Sequence, residues 1–295
     1  MRAAAILGLG CSCRDLKPFQ TDNSVEWRIG MPASGDDADV ILLFGGDGTI
    51  HRHLGELVRL GAPVLVVPEG SGNDFGRAIG LKRVRDSLMA WRKFCAGGNN
   101  VRSIDLGVIS PFDGAGLASV PHAPQYFCCV AGIGLDAEVA RRANQLPRWL
   151  RGHGGYALSL IPTIFRFVPV RMKILRSDQE DEPPWSTFSE QLTTLAAFAN
   201  TSVYGGGMKI APRARFDDGL LDVCVIGPVD PFKLFCMFPT VYGGGHLKLS
   251  EIEYLQTRRV RVETEHPADV YADGEFVCKT PVEVGIQPAA LRIVA

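Results

Sequence analysis

The sequence predicts an α/β N-terminal domain followed by a β-rich, sandwich-like C-terminal domain. Three observations carry this reading. Val40–Phe44 and Val64–Val67 are continuous apolar runs, as expected of parallel strands covered on both faces. Beside them, apolar residues recur at helical spacing. From Val101 onward the texture changes to many short strand-like runs with few helices between them. At 295 residues the chain is long enough for about two domains, divided here into 1–108 and 109–285. The last strand, 286–295, is open to rejoining the first domain.

Each element follows from its local pattern. Met1–Gly10 has one arginine and an apolar stretch too short for a signal segment with its cleavage site, so it reads as a first core strand. Val40–Phe44 runs into Gly45-Gly46-Asp47-Gly48-Thr49, after which Ile50, Leu54, Leu57 and Val58 mark one helix face. Val64–Val67 runs into Pro68-Glu69-Gly70-Ser71-Gly72-Asn73-Asp74-Phe75. Val84, Leu88, Trp91 and Cys95 mark the next helix, stopped at Gly97–Gly98. The β-rich half offers strands at Ser103–Ile109, Tyr126–Val130, Val168–Leu175, Leu192–Ala199, Leu220–Ile226, Ile252–Leu255, Val260–Thr264, Val270–Ala272 and Val282–Ile286. Its helices are expected at Leu135–Asn144, Tyr156–Phe167 and Pro231–Phe238, and Ser110–Gln125 and Ser177–Ser189 read as surface insertions.

Composition narrows the function. Thirty-one basic residues against 32 acidic ones leave a net charge of −1, which argues against nucleic acid as a partner. The eight cysteines contain no Cys-x-x-Cys pair and several lie in apolar runs, favouring free thiols and a cytoplasmic location. The longest apolar stretches are broken by Pro162, Arg166 and Pro239, so no transmembrane segment is expected, although peripheral contact with the inner membrane face remains open. The six histidines have no zinc spacing, and no Ser-His-Asp grouping supports a hydrolase.

Glycine is in excess, 33 residues against an average of roughly 7 %. Two clusters sit where a buried strand turns into a helix. There, backbone N–H groups and the helix N-terminus together favour an anion. Parallel strands bring both turns to one carboxyl edge of the sheet, where α/β proteins bind ligands. A tight turn capped by Asp47 or Thr49 is the plainer alternative for the first cluster. Gly-x-x-x-x-Gly-Lys-Ser/Thr does not occur, which excludes a P-loop NTPase, and Gly8-Leu9-Gly10-Cys11-Ser12-Cys13 is a poor dinucleotide fingerprint.

The pair of turns resembles the diacylglycerol kinase catalytic domain, in the soluble bacterial lipid kinase branch related to sphingosine kinase. The resemblance continues through Ile104-Asp105-Leu106-Gly107, Ala131-Gly132-Ile133-Gly134-Leu135-Asp136-Ala137 and Tyr204-Gly205-Gly206-Gly207-Met208-Lys209-Ile210-Ala211-Pro212. It then passes Phe216-Asp217-Asp218-Gly219-Leu220-Leu221-Asp222-Val223 and ends at Asp273-Gly274-Glu275. These blocks cover most of the chain in the family's order. The resemblance implies a phosphofructokinase/NAD-kinase-like parallel sheet in the first domain. The Gly-Phe-Leu and Thr-Gly-Ser-Thr-Ala-Tyr segments expected of an NAD kinase are missing.

What the resemblance implies about chemistry is specific. ATP phosphates would lie on Gly45, Gly46, Asp47, Gly48 and Thr49, with Gly70, Ser71, Gly72 and Asn73 completing the nucleotide site. Glu275 would accept the proton of the attacking hydroxyl; read alone, it belongs to a hairpin turn. Asp47 and Asp105 would hold the catalytic Mg²⁺ or its waters. A second, structural Mg²⁺ would be bound by the Asp218 carboxylate and the carbonyls of Arg215 and Leu220, the plain alternative being a solvated turn.

Two departures stand out. Arg52 occupies a position where many members carry Glu, and the Asn-Pro turn after the first strand is absent. Arg141–Arg151 mixes four arginines with Trp149 and Leu150 and suits an interface with anionic headgroups, or a packed helix end. Pro231–Phe238 suits an acyl-chain cleft or ordinary core. The function implied is ATP- and Mg²⁺-dependent phosphorylation of a lipid hydroxyl, diacylglycerol-like or sphingoid, in an interdomain cleft, with the lipid met at a membrane surface. The alternatives are a catalytically weak nucleotide- or lipid-binding regulator, suggested by Arg52, and an NAD kinase.

Overall fold

The computed structural model describes residues 1–112, 124–146, 155–179 and 184–295. The strands are β1 (Arg2–Leu7), β2 (Glu26–Ile29), β3 (Val40–Gly45), β4 (Val64–Pro68), β5 (Val101–Pro111), β6 (Gln125–Phe127), β7 (Val130–Gly134) and β8 (Val170–Ser177). They continue as β9 (Ser186–Thr193), β10 (Leu195–Ala199), β11 (Leu221–Ile226), β12 (Ile252–Thr257), β13 (Arg259–Thr264), β14 (Asp269–Ala272), β15 (Glu275–Lys279) and β16 (Val282–Val294). The helices are α1 (Cys13–Leu16), α2 (Asp47–Leu60), α3 (Asp74–Ala78), α4 (Val84–Cys95), α5 (Leu135–Gln145), α6 (Gly155–Ile164) and α7 (Pro231–Met237).

β1, β3 and β4 pair in parallel, with Ala5 opposite Leu42 and Leu42 opposite Leu65. Every residue of β3 and β4 is buried, because α2 and α4 lay Ile50, Leu54, Leu57 and Trp91 into the core they share. α2 stops where Gly61 takes a left-handed conformation and donates to the Leu57 carbonyl, the cap that glycine adopts without steric cost.

One sheet of ten strands runs from this α/β layer into the β-rich half, in the order β2-β1-β3-β4-β16-β13-β8-β9, with β5 and β6 attached beside β16. The long β16 makes the connection. It meets β4 in parallel at Ile293 and Val64 and pairs antiparallel with β5 and β13. A second, antiparallel sheet has the order β12-β11-β10-β7-β14-β15. The two sheets face each other in a sandwich. Val260, Val262, Val282 and Val284 from one meet Phe198, Leu221, Val223 and Val225 from the other. The period of two leaves Leu195, Ala197, Cys224 and Ile226 on the opposite face, where α5, α6 and α7 cover them.

Two sequence runs divide where single strands were expected. Tyr126–Val130 splits at Cys128–Cys129, so that β6 joins the large sheet and β7 the small one. Leu192–Ala199 splits at Thr194, whose hydroxyl donates to the Gly227 carbonyl at the corner between β9 and β10. Apolar periodicity marks both halves of such a run and is blind to the corner. Among the described residues, no helix is long and apolar enough to cross a membrane. Most of the Ser110–Gln125 insertion, and 147–151 of the arginine-rich segment, lie outside the described residues.

Candidate active site

The parallel pairing sets Gly45 beside Pro68, so the two glycine turns leave the sheet together. They touch back to back. A Cβ on Gly70 would lie 2.3 Å from the Gly46 Cα, and one on Gly46 would lie 2.8 Å from the Gly70 Cα. Thr49 turns its side chain toward Gly45 and Gly8, where added Cβ atoms would meet its Oγ1 at 2.6 and 2.7 Å. Asn73 closes the second turn: its Oδ1 accepts from Gly70 N at 2.9 Å while the residue sits at φ 55. Ser71 is exposed at the tip.

Asp47 begins α2 and reaches across to α3. Its two oxygens accept from the backbone N–H groups of Asp74 and Phe75, each at 3.1 Å. Burial, followed by the charge of Asp74, pushes Asp47 up to about 6 in spite of these bonds. Asp74 in turn accepts from Gly206 N at 2.8 Å and pairs with Arg77 at 3.0 Å. The Gly205–Gly207 turn is thereby tied to the second glycine turn.

The Asp273-Gly274-Glu275 turn closes over this edge from the other sheet. Glu275 leans onto α2, where a Cβ on Gly48 would lie 2.9 Å from its Oε1. Asp273 takes a left-handed φ of 50. Its carboxylate accepts from Cys128, Cys129 and Val130 N–H groups at 2.7, 2.8 and 3.3 Å, fastening the turn to the corner between β6 and β7. His51 approaches it from α2, with Nδ1 at 3.5 Å and no closer partner for that buried nitrogen. Burial opposes charge on His51, yet the adjacent Asp273 carboxylate, and after it Glu275, outweigh it and raise the imidazole above its ordinary value. The thiols of Cys128 and Cys129 are pushed far up by burial, next to the Asp273 anion, and are inert as nucleophiles. Arg52 points to solvent, one helical step away from His51.

Asp47, Asp74, Asp136 and Asp273 line one open cleft of about 120 Å³. Among the described residues no lysine or arginine belongs to its walls, although Arg77 pairs with Asp74 beside it. A divalent cation would offset the repulsion between these carboxylates and phosphate. Among the described residues, no three His, Cys, Asp or Glu side chains form a metal cage by themselves. The carboxylates of the cleft are hard oxygen donors, of the kind that would hold Mg²⁺ together with substrate phosphates and water.

Asp105 stands elsewhere. It is buried in β5, and its two oxygens accept from Gly219 N and Ala289 N, each at 2.8 Å. It therefore anchors the Asp217–Gly219 turn to the β16 bulge at Ala289 and is not among the walls of the Asp47 cleft. In that turn Asp218 Oδ1 accepts from Leu220 N at 3.0 Å, and Arg215 pairs with Asp217 at 3.0 Å. Partial burial raises Asp218, with the charge of Asp105 adding to it. The fully buried Asp222, held by Tyr254 and Gln256, is raised by burial first and by Asp218 as well.

Behind the cleft lies a small apolar chamber of about 50 Å³ between the small sheet and helices α5, α6 and α7. Leu160, Ile164, Leu234, Met237 and Phe238 contribute to its walls. Asp136 and Tyr204 line both spaces, and the Tyr204 hydroxyl donates to Asp136 Oδ1 at 3.1 Å. Four residues had no role assigned from the sequence: Asp273, His51, Asp136 and Tyr204. Asp136, Tyr204 and Asp273 lie in blocks that carry the family resemblance, whereas His51 carried no signal.

Comparison with known proteins fits this geometry. Residues 20–109 match the diacylglycerol kinase catalytic domain, and residues 129–295 match the YegS C-terminal NAD kinase beta sandwich-like domain. A diacylglycerol kinase of Mycobacterium tuberculosis is 33 % identical over 267 residues, covering 88 % of this chain and 77 % of its own. A diacylglycerol kinase of Bacillus subtilis is 27 % identical over 247 residues, covering 83 % and 74 %. In fold, a diacylglycerol kinase crystal structure from Bacillus anthracis superposes with a TM-score of 0.65 at 17 % identity, covering 99 % of this chain and 96 % of the other. An NAD kinase from Archaeoglobus fulgidus in complex with ATP gives 0.53 at 16 %, covering 100 % and 94 %. With both halves matched in order around one acidic cleft, the chain belongs to the diacylglycerol kinase catalytic-domain family, in the bacterial branch that carries the YegS-type C-terminal domain.

Proposed function

We propose that this protein is an ATP- and Mg²⁺-dependent lipid kinase that transfers the γ-phosphate to a hydroxyl of a diacylglycerol-like or sphingoid lipid. The observation that carries the reading is the wall shared by the acidic cleft and the apolar chamber, formed by Asp136 and Tyr204. An acidic cleft on one side of this wall and an apolar lining on the other support an amphiphilic acceptor whose hydroxyl meets the phosphates at the junction.

In this reading the turns Gly45–Thr49 and Gly70–Asn73 offer N–H donors to the phosphates at the N-terminus of α2. Asp47 and its neighbours in the cleft would hold Mg²⁺, which offsets phosphate charge during transfer. Asp105 belongs with Asp218 and the carbonyls of Arg215 and Leu220 around the second site. Asp136 and Tyr204 hold the polar head of the acceptor while its chain lies along the apolar lining. Glu275 takes the hydroxyl proton as the lipid oxygen forms its bond to the γ-phosphorus and the bond to the β-phosphate oxygen breaks, releasing ADP.

The test is incubation of the purified protein with γ-labelled ATP, Mg²⁺ and a panel of diacylglycerol, monoacylglycerol, ceramide, sphingosine and NAD, read by mass spectrometry. A phosphorylated lipid is expected. NADP as the sole product, or ATP binding with no product at all, overturns the proposal.

A further inference from the structure

α6 and α7 each bury one apolar face on the chamber and leave a second one in water. On α6, Leu160 and Ile164 face the chamber while Ile161, and Phe165 just past the helix end, are 49 % and 51 % exposed. On α7, Leu234 and Met237 face inward while Phe232 and Phe235 are 68 % and 41 % exposed. The two outward stripes meet: the Phe165 and Phe235 rings lie 6.0 Å apart between centroids. Isolated exposed apolar residues are ordinary, but a contiguous patch on the outside of a chamber wall is not.

The charges beside the patch have one sign to spare. Arg166 follows Phe165. Lys209 donates its backbone N–H to the Val241 carbonyl in the turn that follows α7, and Lys248 ends the next turn, Gly245–Lys248, which packs on that one. None of the three has an ion pair among the described residues, and all are exposed. The nearby acids are engaged: Asp230 caps α7 through Phe232 N and Lys233 N, and Glu251 pairs with Lys233.

We infer that the outer faces of α6 and α7, with Arg166, Lys209 and Lys248 at their border, form a docking surface for an anionic lipid bilayer. The aromatic and aliphatic side chains enter the headgroup region while the cations meet phosphate groups, a combination that holds peripheral helices at interfaces. This rests on the lipid-kinase reading for its purpose: an acceptor lipid reaches the apolar lining between α6 and α7 from the bilayer without crossing water. The spare cations at the border match anionic headgroups, whereas a second copy of the chain would bring the same cations against them.

The experiment is sedimentation of the full chain with vesicles of phosphatidylcholine alone and with added phosphatidylglycerol. Wild type is expected to bind the anionic vesicles and to be released by salt. The double variant Phe165→Ser/Phe232→Ser is expected to lose at least tenfold in vesicle affinity, and Lys209→Glu/Lys248→Glu to lose the preference for phosphatidylglycerol. Both should keep the wild-type melting temperature and the wild-type rate on a short-chain, dispersed acceptor. Vesicle binding unchanged in the variants, or absent in wild type that phosphorylates dispersed lipid, overturns the docking surface. A wild-type dimer that the serine variant dissociates also overturns it and gives the face to a second copy. Patch-dependent vesicle binding by a protein that phosphorylates no lipid upholds the surface and refutes the kinase reading instead.

Discussion

His51 Nδ1 lies 3.5 Å from the Asp273 carboxylate, and through this pair the helix that follows the first glycine turn meets the turn that carries Glu275. The two residues come from the two different sheet layers. The pair thus sets how the proposed proton acceptor stands over the phosphate site.

His51→Leu is expected to lower kcat roughly ten- to hundredfold through misplacement of Glu275, with little change in the KM for ATP. His51→Asn, which keeps an N–H near the position of Nδ1, should restore most of it. The imidazole is raised above its ordinary 6.5, so the ion pair contributes fully at lower pH and is lost as the pH climbs through the raised value. Melting temperatures of wild type and His51→Asn should accordingly differ most at pH 5.5–6 and converge above pH 8.

Glu275 is exposed and caps nothing, which separates chemistry from folding in its variants. Glu275→Gln should reduce phosphoryl transfer by about 10²–10⁴-fold. Its thermal melt and ATP affinity should match wild type. Full activity in this variant removes Glu275 from the proposed reaction.

The elevated Asp47 gives a pH signature. Its carboxylate is charged above about 6 and protonates as the pH falls through that value. The rate at limiting Mg²⁺ is expected to show an acid limb near pH 6. Raising Mg²⁺ favours the charged form and should slide the limb to lower pH; a limb indifferent to Mg²⁺ would place the cation away from Asp47.

Gly70→Ala tests the contact between the turns. The new methyl would lie 2.3 Å from the Gly46 Cα, and only backbone movement relieves it. A loss of about 1–3 kcal/mol in stability is expected, read as a drop of several degrees in Tm. ATP binding should weaken in parallel.

Tyr204→Phe keeps the ring in the shared wall and removes its hydroxyl from Asp136. A hydrogen bond of this kind is worth about 1 kcal/mol, so the KM for the lipid should rise roughly fivefold. The KM for ATP should stay within error. Equal changes in both would argue that the pair braces the fold instead of holding the acceptor.

Much of this arrangement was legible residue by residue. The continuous apolar runs of β3 and β4 read as strands with both faces covered, and the glycines after them as strand-to-helix turns. Asp47 and Glu275 stood out through the resemblance and do stand over the same glycine turn. Asp105 shows the limit. Its motif suggested company with Asp47, but the bulge in β16, some 180 residues downstream, presents Ala289 N–H to it and draws it to Asp218 instead.

Local patterns such as turn glycines, helix faces and strand periods are short-range physics and are written in neighbouring residues. From them the order of most elements followed, while the family came from the resemblance of the ordered motif blocks. The apolar chamber, the Asp136–Tyr204 wall and the His51–Asp273 approach join residues separated by tens to hundreds of positions. They exist only once two sheets have packed through their valine faces, because burial of those faces, and no local preference, decides which side chains become neighbours.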